Sequence, residues 1–261
     1  DSNDIEELEA LEEEDTENTA EIASFSHIFQ LPTVRQFIST YSDSNVPCAV
    51  LSSNLLYMWG NTAYDSLMRG VFKKGAYFLH EFQTNLDQEK LKSIYTALHS
   101  RIHGYTWQGT LEKVFRKYPS KISKVVFLPL FRSFKSTMDP SAYGVLFDDI
   151  TDQNQRQLRN MFNGLLEASM LKDNDTGTHI RRVNQYSKRI AEELFELGTY
   201  PQVNMDFIEN IGFLAAMHDV GKIGTPDDIL NKAGSLEKWE WEIMKEHTIN
   251  GAYILSSYPH P

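Results

Sequence analysis

The chain has 261 residues, 36 acidic and 25 basic side chains, a formal net charge of −11 and one cysteine, Cys48. That length allows one large or two ordinary domains, each able to bury a core, while a single cysteine excludes an intrachain disulfide and fits a reducing compartment. No apolar run approaches the ~20 residues of a membrane span and no secretory signal is present, so a cytoplasmic location is expected, with an anchor upstream of Asp1 left open.

The charge is local. Eleven acids and no Lys or Arg fall in residues 1–21, and the remaining 25 acids are matched by the 25 bases. Residues 1–24 are therefore expected to be a solvated, disordered tail, although Ile5, Leu8 and Leu11 keep helical spacing. No basic patch appears, so no nucleic-acid partner is expected.

From residue 25 to 151 the pattern changes to strands and short helices. Pro47 to Leu51 reads as a short buried strand, Ser52 to Asn54 as a turn, and Leu55 to Trp59 as a second strand. Asn61 is a suitable N-cap for a helix over the following residues. Three more strands are expected over Tyr105–Leu111, Ser123–Phe131 and Tyr143–Phe147. Two strands, small helices and three strands predict an antiparallel sheet with helices on one side, an α+β domain. With Val46-Pro47 entering the first strand, Asn61-x-Ala63 after the second, and Asp149-Ile150-Thr151 closing the last, this stretch resembles a PAS sensor domain. The resemblance raises the question of a bound ligand, whose identity the sequence leaves unknown. No cysteine-bearing flavin motif is present, since Cys48 lies on the first strand. His80, His99 and His103 are more simply surface or structural histidines than haem ligands. Phe78, Phe82, Tyr95, Trp107 and Phe127 are expected to fill the core.

Residues 152–172 contain no proline, and Leu158, Met161, Leu165 and Ala168 keep coiled-coil spacing, widened by Phe162, Leu166 and Met170. A linker helix is expected, with a homodimer through that stripe and packing on a neighbouring domain as alternatives.

The chemistry gathers after residue 173. Asp175 and His179 stand four apart at the start of an amphipathic helix carrying Val183, Tyr186, Ile190, Ala191 and Leu194. A hydrophobic helix from about Phe207 to Met217 then gives out at His218-Asp219, followed by Val220-Gly221-Lys222-Ile223-Gly224. Adjacent helical positions diverge by about 100°, so His218 and Asp219 can approach one ion from neighbouring directions. An imidazole beside a carboxylate suits a divalent ion such as iron, manganese or zinc. A third helix places Trp239, Ile243, His247 and Ile254 near one stripe, aiming His247 inward. Alone, His218-Asp219 could be chance and His247 a structural core histidine; together with His179 they favour a metal cluster.

The order His179, His218-Asp219, His247 is similar to the HD superfamily of metal-dependent phosphohydrolases, and more closely to its HD-GYP branch, the bacterial cyclic di-GMP phosphodiesterases. The match runs through Thr176-Gly177-x-His179-x-x-Arg182-Val183, then His218-Asp219-Val220-Gly221-Lys222-Ile223-Gly224-x-Pro226-Asp227-x-Ile229-Leu230, and Met244-x-x-His247-x-x-x-Gly251. The resemblance implies an all-α domain over 173–261, incomplete because the family pattern continues with a paired histidine, a Gly-Tyr-Pro loop and a last aspartate. The chain thus reads as a fragment, inactive by itself, and His260 is not taken for a family ligand. It implies two divalent ions, iron or manganese, held by Asp175, His179, His218, Asp219 and His247. Asp175 stands where three-metal members carry glutamate. It also implies hydrolysis of cyclic di-GMP to pGpG or GMP, with Asp219 bridging the ions and Lys222 countering phosphate charge. Lys232 and Arg182 are basic neighbours of the motif that can equally be surface charges. Alternatives are an HD phosphohydrolase acting on another nucleotide, and a non-catalytic signalling module.

Overall fold

The computed structural model describes residues 25–70, 73–115, 117–134, 139–172 and 177–256. The acidic tail, Asp175 and His260 lie outside the described residues. The chain divides into two compact units, one of the residues up to Val114 with Ser120–Thr151, the other of Phe115–Pro119 with the residues from Asp152 onward.

The first unit is built on a five-stranded antiparallel sheet in the order β2-β1-β5-β4-β3, with β1 Cys48–Ser52, β2 Tyr57–Gly60, β3 Trp107–Lys113, β4 Lys121–Leu130 and β5 Ala142–Asp149. The alternation of side chains along the strands sends Ala49, Leu51, Leu111, Val125, Phe127, Val145 and Phe147 to one face. That face is closed by α2 (Thr62–Met68), a 3₁₀ segment (Phe78–Asn85) and α3 (Gln88–Leu98), which contribute Tyr64, Phe78 and Ile94. The expected α+β class and all five strands are present. Of the aromatic residues expected in the core, Tyr95 is 41% exposed and sits outside it, whereas Phe78, Phe82, Trp107 and Phe127 are buried. His80, His99 and His103 are exposed, and His99 Nδ1 is hydrogen-bonded to Tyr95 O of its own helix.

Helices lie on both faces, not one. An N-terminal helix, α1 (Pro32–Tyr41), starts with proline at its first turn and packs Val34 and Phe37 with Cys48, Val50, Met58 and Ala142 on the opposite face. The Phe37 ring occupies the space beside Gly144 on β5, where a Cβ would lie 2.4 Å from it. Asn61 does more than cap α2. Its side-chain oxygen accepts from Tyr64 N (2.9 Å) and Cys48 N (3.2 Å), and its amide donates to the carbonyls of Tyr41, Ser44 and Val46. One buried amide therefore joins the end of α1, the entry to β1 and the start of α2, with every donor and acceptor used.

The second unit is helical: α4 (Thr151–Met170, whose first residue belongs to the sheet unit), α5 (Gly177–Leu197), α6 (Met205–Leu214), a 3₁₀ segment (Ala215–Gly224), α7 (Asp227–Leu230), α8 (Lys238–Lys245) and α9 (His247–Leu255). Ala191 of α5, Val203 and Ile208 of α6 form a small core, flanked by Leu194, Phe195, Met205 and Ile211. The stripe expected to face inward on α5 is split: Ala191 is buried, but Tyr186 and Ile190 are 64% and 59% exposed. On α4, Phe162 meets Phe213 of α6 at 6.1 Å, while Leu158 and Met161 remain exposed. The expected third helix is two helices meeting at Glu246, and Trp239 faces solvent. No described helix is long and apolar enough to cross a membrane.

Candidate metal and phosphate site

The His218-Asp219 pair sits within the 3₁₀ segment that continues α6. Asn204 caps α6 by accepting from Phe207 N, and Asn184 of α5 accepts from Ala216 N at 2.8 Å, fixing the start of the segment against the helix that carries His179. On its other side the segment lies against α9 through a glycine contact. A Cβ at Gly221 would lie 1.9 Å from His247 O and 2.3 Å from Gly251 N, both backbone atoms. The backbone at Gly221 is helical, so glycine is needed there for space and not for an unusual dihedral. This close approach brings His247 to Asp219.

Asp219 is the hub. Lys222 Nζ lies 2.9 Å and His218 Nε2 3.1 Å from its Oδ2, and His247 Nε2 lies 3.4 Å from its Oδ1. The His179 and His218 rings are 6.3 Å apart, edge to face. Partial burial by itself would push the Asp219 carboxyl up. The hydrogen bond and charge of Lys222, with His218 and His247, outweigh it and hold the group below the ordinary aspartate value.

Both histidines beside Asp219 are oriented by backbone. His218 Nδ1 is 2.8 Å from Ala215 O, and His247 Nδ1 is 2.6 Å from Met244 O. A carbonyl can only accept, so each Nδ1 carries the proton and each Nε2 is left to face the carboxylate. A neutral Nε2 and a carboxylate oxygen are both acceptors and need a proton or cation between them. This is the donor arrangement of a borderline divalent ion: carbonyl-anchored imidazoles with Nε2 presented beside a carboxylate. The residues thus fit a metal chemically, but among the described residues no three His, Cys, Asp or Glu side chains are gathered as a ready-made metal site. The ammonium of Lys222 supplies the cation at Oδ2.

A small cleft opens beside the pair, lined by Leu166, Ser169 and Met170 of α4, Ile180 of α5, and Ala216, His218, Asp219 and Val220. Lys232 is not part of it. It pairs with buried Glu240, which also accepts from Glu237 N in the capping box of α8, so this cation holds a loop. Arg182 is exposed. Lys172, at the end of α4, reaches the loop after the His-Asp segment; nothing in its spacing pointed there.

This segment lies within residues 176–261, which match the family described as HD domain. The match falls on the stretch whose motifs resemble the HD superfamily, and the curated relatives it resembles carry related names. The chain is 44% identical over 93 residues to a cyclic di-GMP phosphodiesterase of Thermotoga maritima, covering 36% of this chain and 23% of that protein. It is 42% identical over 86 residues to a cyclic di-GMP phosphodiesterase of Vibrio cholerae, covering 33% and 18%. A 3'3'-cGAMP-specific phosphodiesterase 2 of Vibrio cholerae is 34% identical over 116 residues, covering 43% and 21%. The chain therefore spans about a quarter or less of the length of these relatives. Among solved structures, it is similar to a variant of the RsLOV protein (TM-score 0.39, 10% identity, 70% of this chain and 92% of that one). It is also similar to a PAS domain of a Colwellia psychrerythraea protein (TM-score 0.37, 10% identity, 46% and 98%).

Proposed function

We propose that the protein is a sensor-regulated cyclic di-GMP phosphodiesterase whose site forms around Asp219. The observation that carries this is the convergence of His218, His247 and Lys222 on one carboxylate. In this reading Asp175, His179, His218, Asp219 and His247 hold two divalent ions, iron or manganese. Such ions, when bound, lower the pKa of water and polarise a phosphoryl oxygen.

The side chains have separate tasks. The carbonyls of Ala215 and Met244 keep the His218 and His247 rings in the tautomer that presents Nε2, so neither ring must reorganise on binding a cation. Asp219, held ionised by its neighbours, provides the anionic centre. Lys222 places a positive charge within a turn of Asp219, where it can offset phosphate charge that increases as the 3′ oxygen leaves. The apolar wall from Leu166, Met170 and Ile180 limits water on one side of the cleft. The α+β unit serves as the sensor, α4 carries its state onward, and a homodimer through α4 in the cytoplasm completes the reading. The relation to a 3'3'-cGAMP-specific enzyme favours a second reading, another cyclic dinucleotide as substrate; a non-catalytic module is the third.

Asp219→Ala separates these. It should abolish metal retention and hydrolysis together, because it removes the group on which the other three converge. Metal content equal to wild type by elemental analysis would defeat the assignment. Offering the full-length protein cyclic di-GMP and 3'3'-cGAMP in parallel decides the substrate, and no turnover of either by it would leave the non-catalytic reading.

A further inference from the structure

We propose that Lys172 is a positioning residue that latches the end of α4 to the loop following the His-Asp segment, and so holds Asp219 and Lys222 in register with the linker helix. Lys172 is the second residue after α4. Its ammonium lies 2.8 Å from Ile223 O, 2.6 Å from Thr225 O and 3.2 Å from Asp227 Oδ1. An ammonium has three donors, and here each meets one acceptor. Two of the acceptors are main-chain carbonyls at the C-terminal end of the 3₁₀ segment, the end where a positive charge complements the peptide dipoles. The third opens α7. One side chain therefore bridges the segment, the turn after it and the next helix.

The latch bears on the candidate site because the loop it grips is short and internally tied. Thr225 N donates to Lys222 O at 3.0 Å, and Lys222 in turn is on Asp219. The same helix lines the cleft with Leu166, Ser169 and Met170. A displacement of α4 along its axis would shift the cleft wall and pull the carbonyls of Ile223 and Thr225, so the state of the linker helix is read at Asp219 through a defined contact. An exposed helix face could not do this, and a lysine serving only solubility would not place two of its donors on main-chain carbonyls of half-buried Ile223 and buried Thr225. Thr225 itself is 2% exposed.

The proposal's effect on turnover rests on the phosphodiesterase reading, whereas its effect on the loop does not. Lys172→Met keeps the aliphatic stem and removes the donors; Lys172→Arg keeps charge and donors. Hydrogen exchange on the full chain should show the amides of residues 222–230 exchanging about tenfold or more faster in Lys172→Met, with α5 and α6 unchanged, and Lys172→Arg restoring most of the protection. On cyclic di-GMP the same substitution in the full-length protein should lower kcat about tenfold with KM little moved, as expected for lost alignment. Unchanged exchange in the loop would overturn the latch, as would faster exchange spread over α5 and α6, which would mark a general packing role. Loop exchange that responds while the full-length wild type turns over neither cyclic dinucleotide would leave the latch standing and reject the phosphodiesterase reading.

Discussion

Gly221→Ala tests the route by which His247 reaches Asp219. The added Cβ would lie 1.9 Å from His247 O and 2.3 Å from Gly251 N, against backbone that cannot rotate away. Restoring an ordinary carbon contact of about 3.4 Å requires the 3₁₀ segment and α9 to part by about 1.5 Å. Overpacking of this kind costs about 1–3 kcal/mol, and each kcal/mol lowers the melting temperature by about 4–8 °C in a domain of roughly 100 residues. The same movement would widen the 3.4 Å separation of His247 Nε2 and Asp219 Oδ1 to about 5 Å, beyond ion-pair reach, and a 1 Å misplacement can cost about a hundredfold in rate. The control is Gly164→Ala on α4, where an added Cβ meets nothing within 4 Å; there the substitution should stabilise by roughly 0.5–1 kcal/mol. Thermal melts and metal content of the two variants, with hydrolysis of cyclic di-GMP, give the comparison. A Gly221→Ala protein with wild-type melting temperature and metal content would refute the argument that this glycine contact sets the His247–Asp219 geometry.

Two further outcomes follow from the junction of sheet and linker and from the exposed face of α4. Asp149 Oδ1 accepts from Thr151 N and Oγ1, and Oδ2 is 2.8 Å from Lys121 Nζ; partial burial pushes its carboxyl up, but these hydrogen bonds and the Lys121 charge prevail and hold it below the ordinary value. Its contribution is therefore present above the unfolded pKa of about 3.9 and lost as pH falls through the lower folded value. Asp149→Asn should melt lower than wild type at pH 7 and converge with it in acid, and a difference independent of pH would contradict the assignment. Met161→Glu, at a position 54% exposed within one chain, should leave the melting temperature near wild type yet convert a dimer to monomer by light scattering if α4 is the dimer seam. A variant of unchanged subunit count would remove that seam.

The linear order of residues determined the chemistry and the class of each half. Strand runs bounded by Asn, Gly and Ser made an α+β sheet legible because side chains alternate with period two, and that period is local. The His218-Asp219 pair, Lys222 and the glycines around them were legible as a motif because all lie within one or two turns of helix. What depended on tertiary structure was everything set by packing between distant elements. The helix at Pro32–Tyr41, whose signals of an initial proline and apolar residues at Val34, Phe37 and Tyr41 are present in the sequence, covers the second face of the sheet only because Gly144 leaves room for Phe37. The α5 stripe divides between core and solvent because a helix of 21 residues offers more apolar positions than α6 can cover. His247 comes to Asp219 through the missing Cβ of Gly221, and Lys172 reaches Ile223 and Thr225 across more than fifty residues of chain. Neither contact has a sequence period, since each is fixed by where two separately formed helices happen to exclude volume and find hydrogen-bond partners.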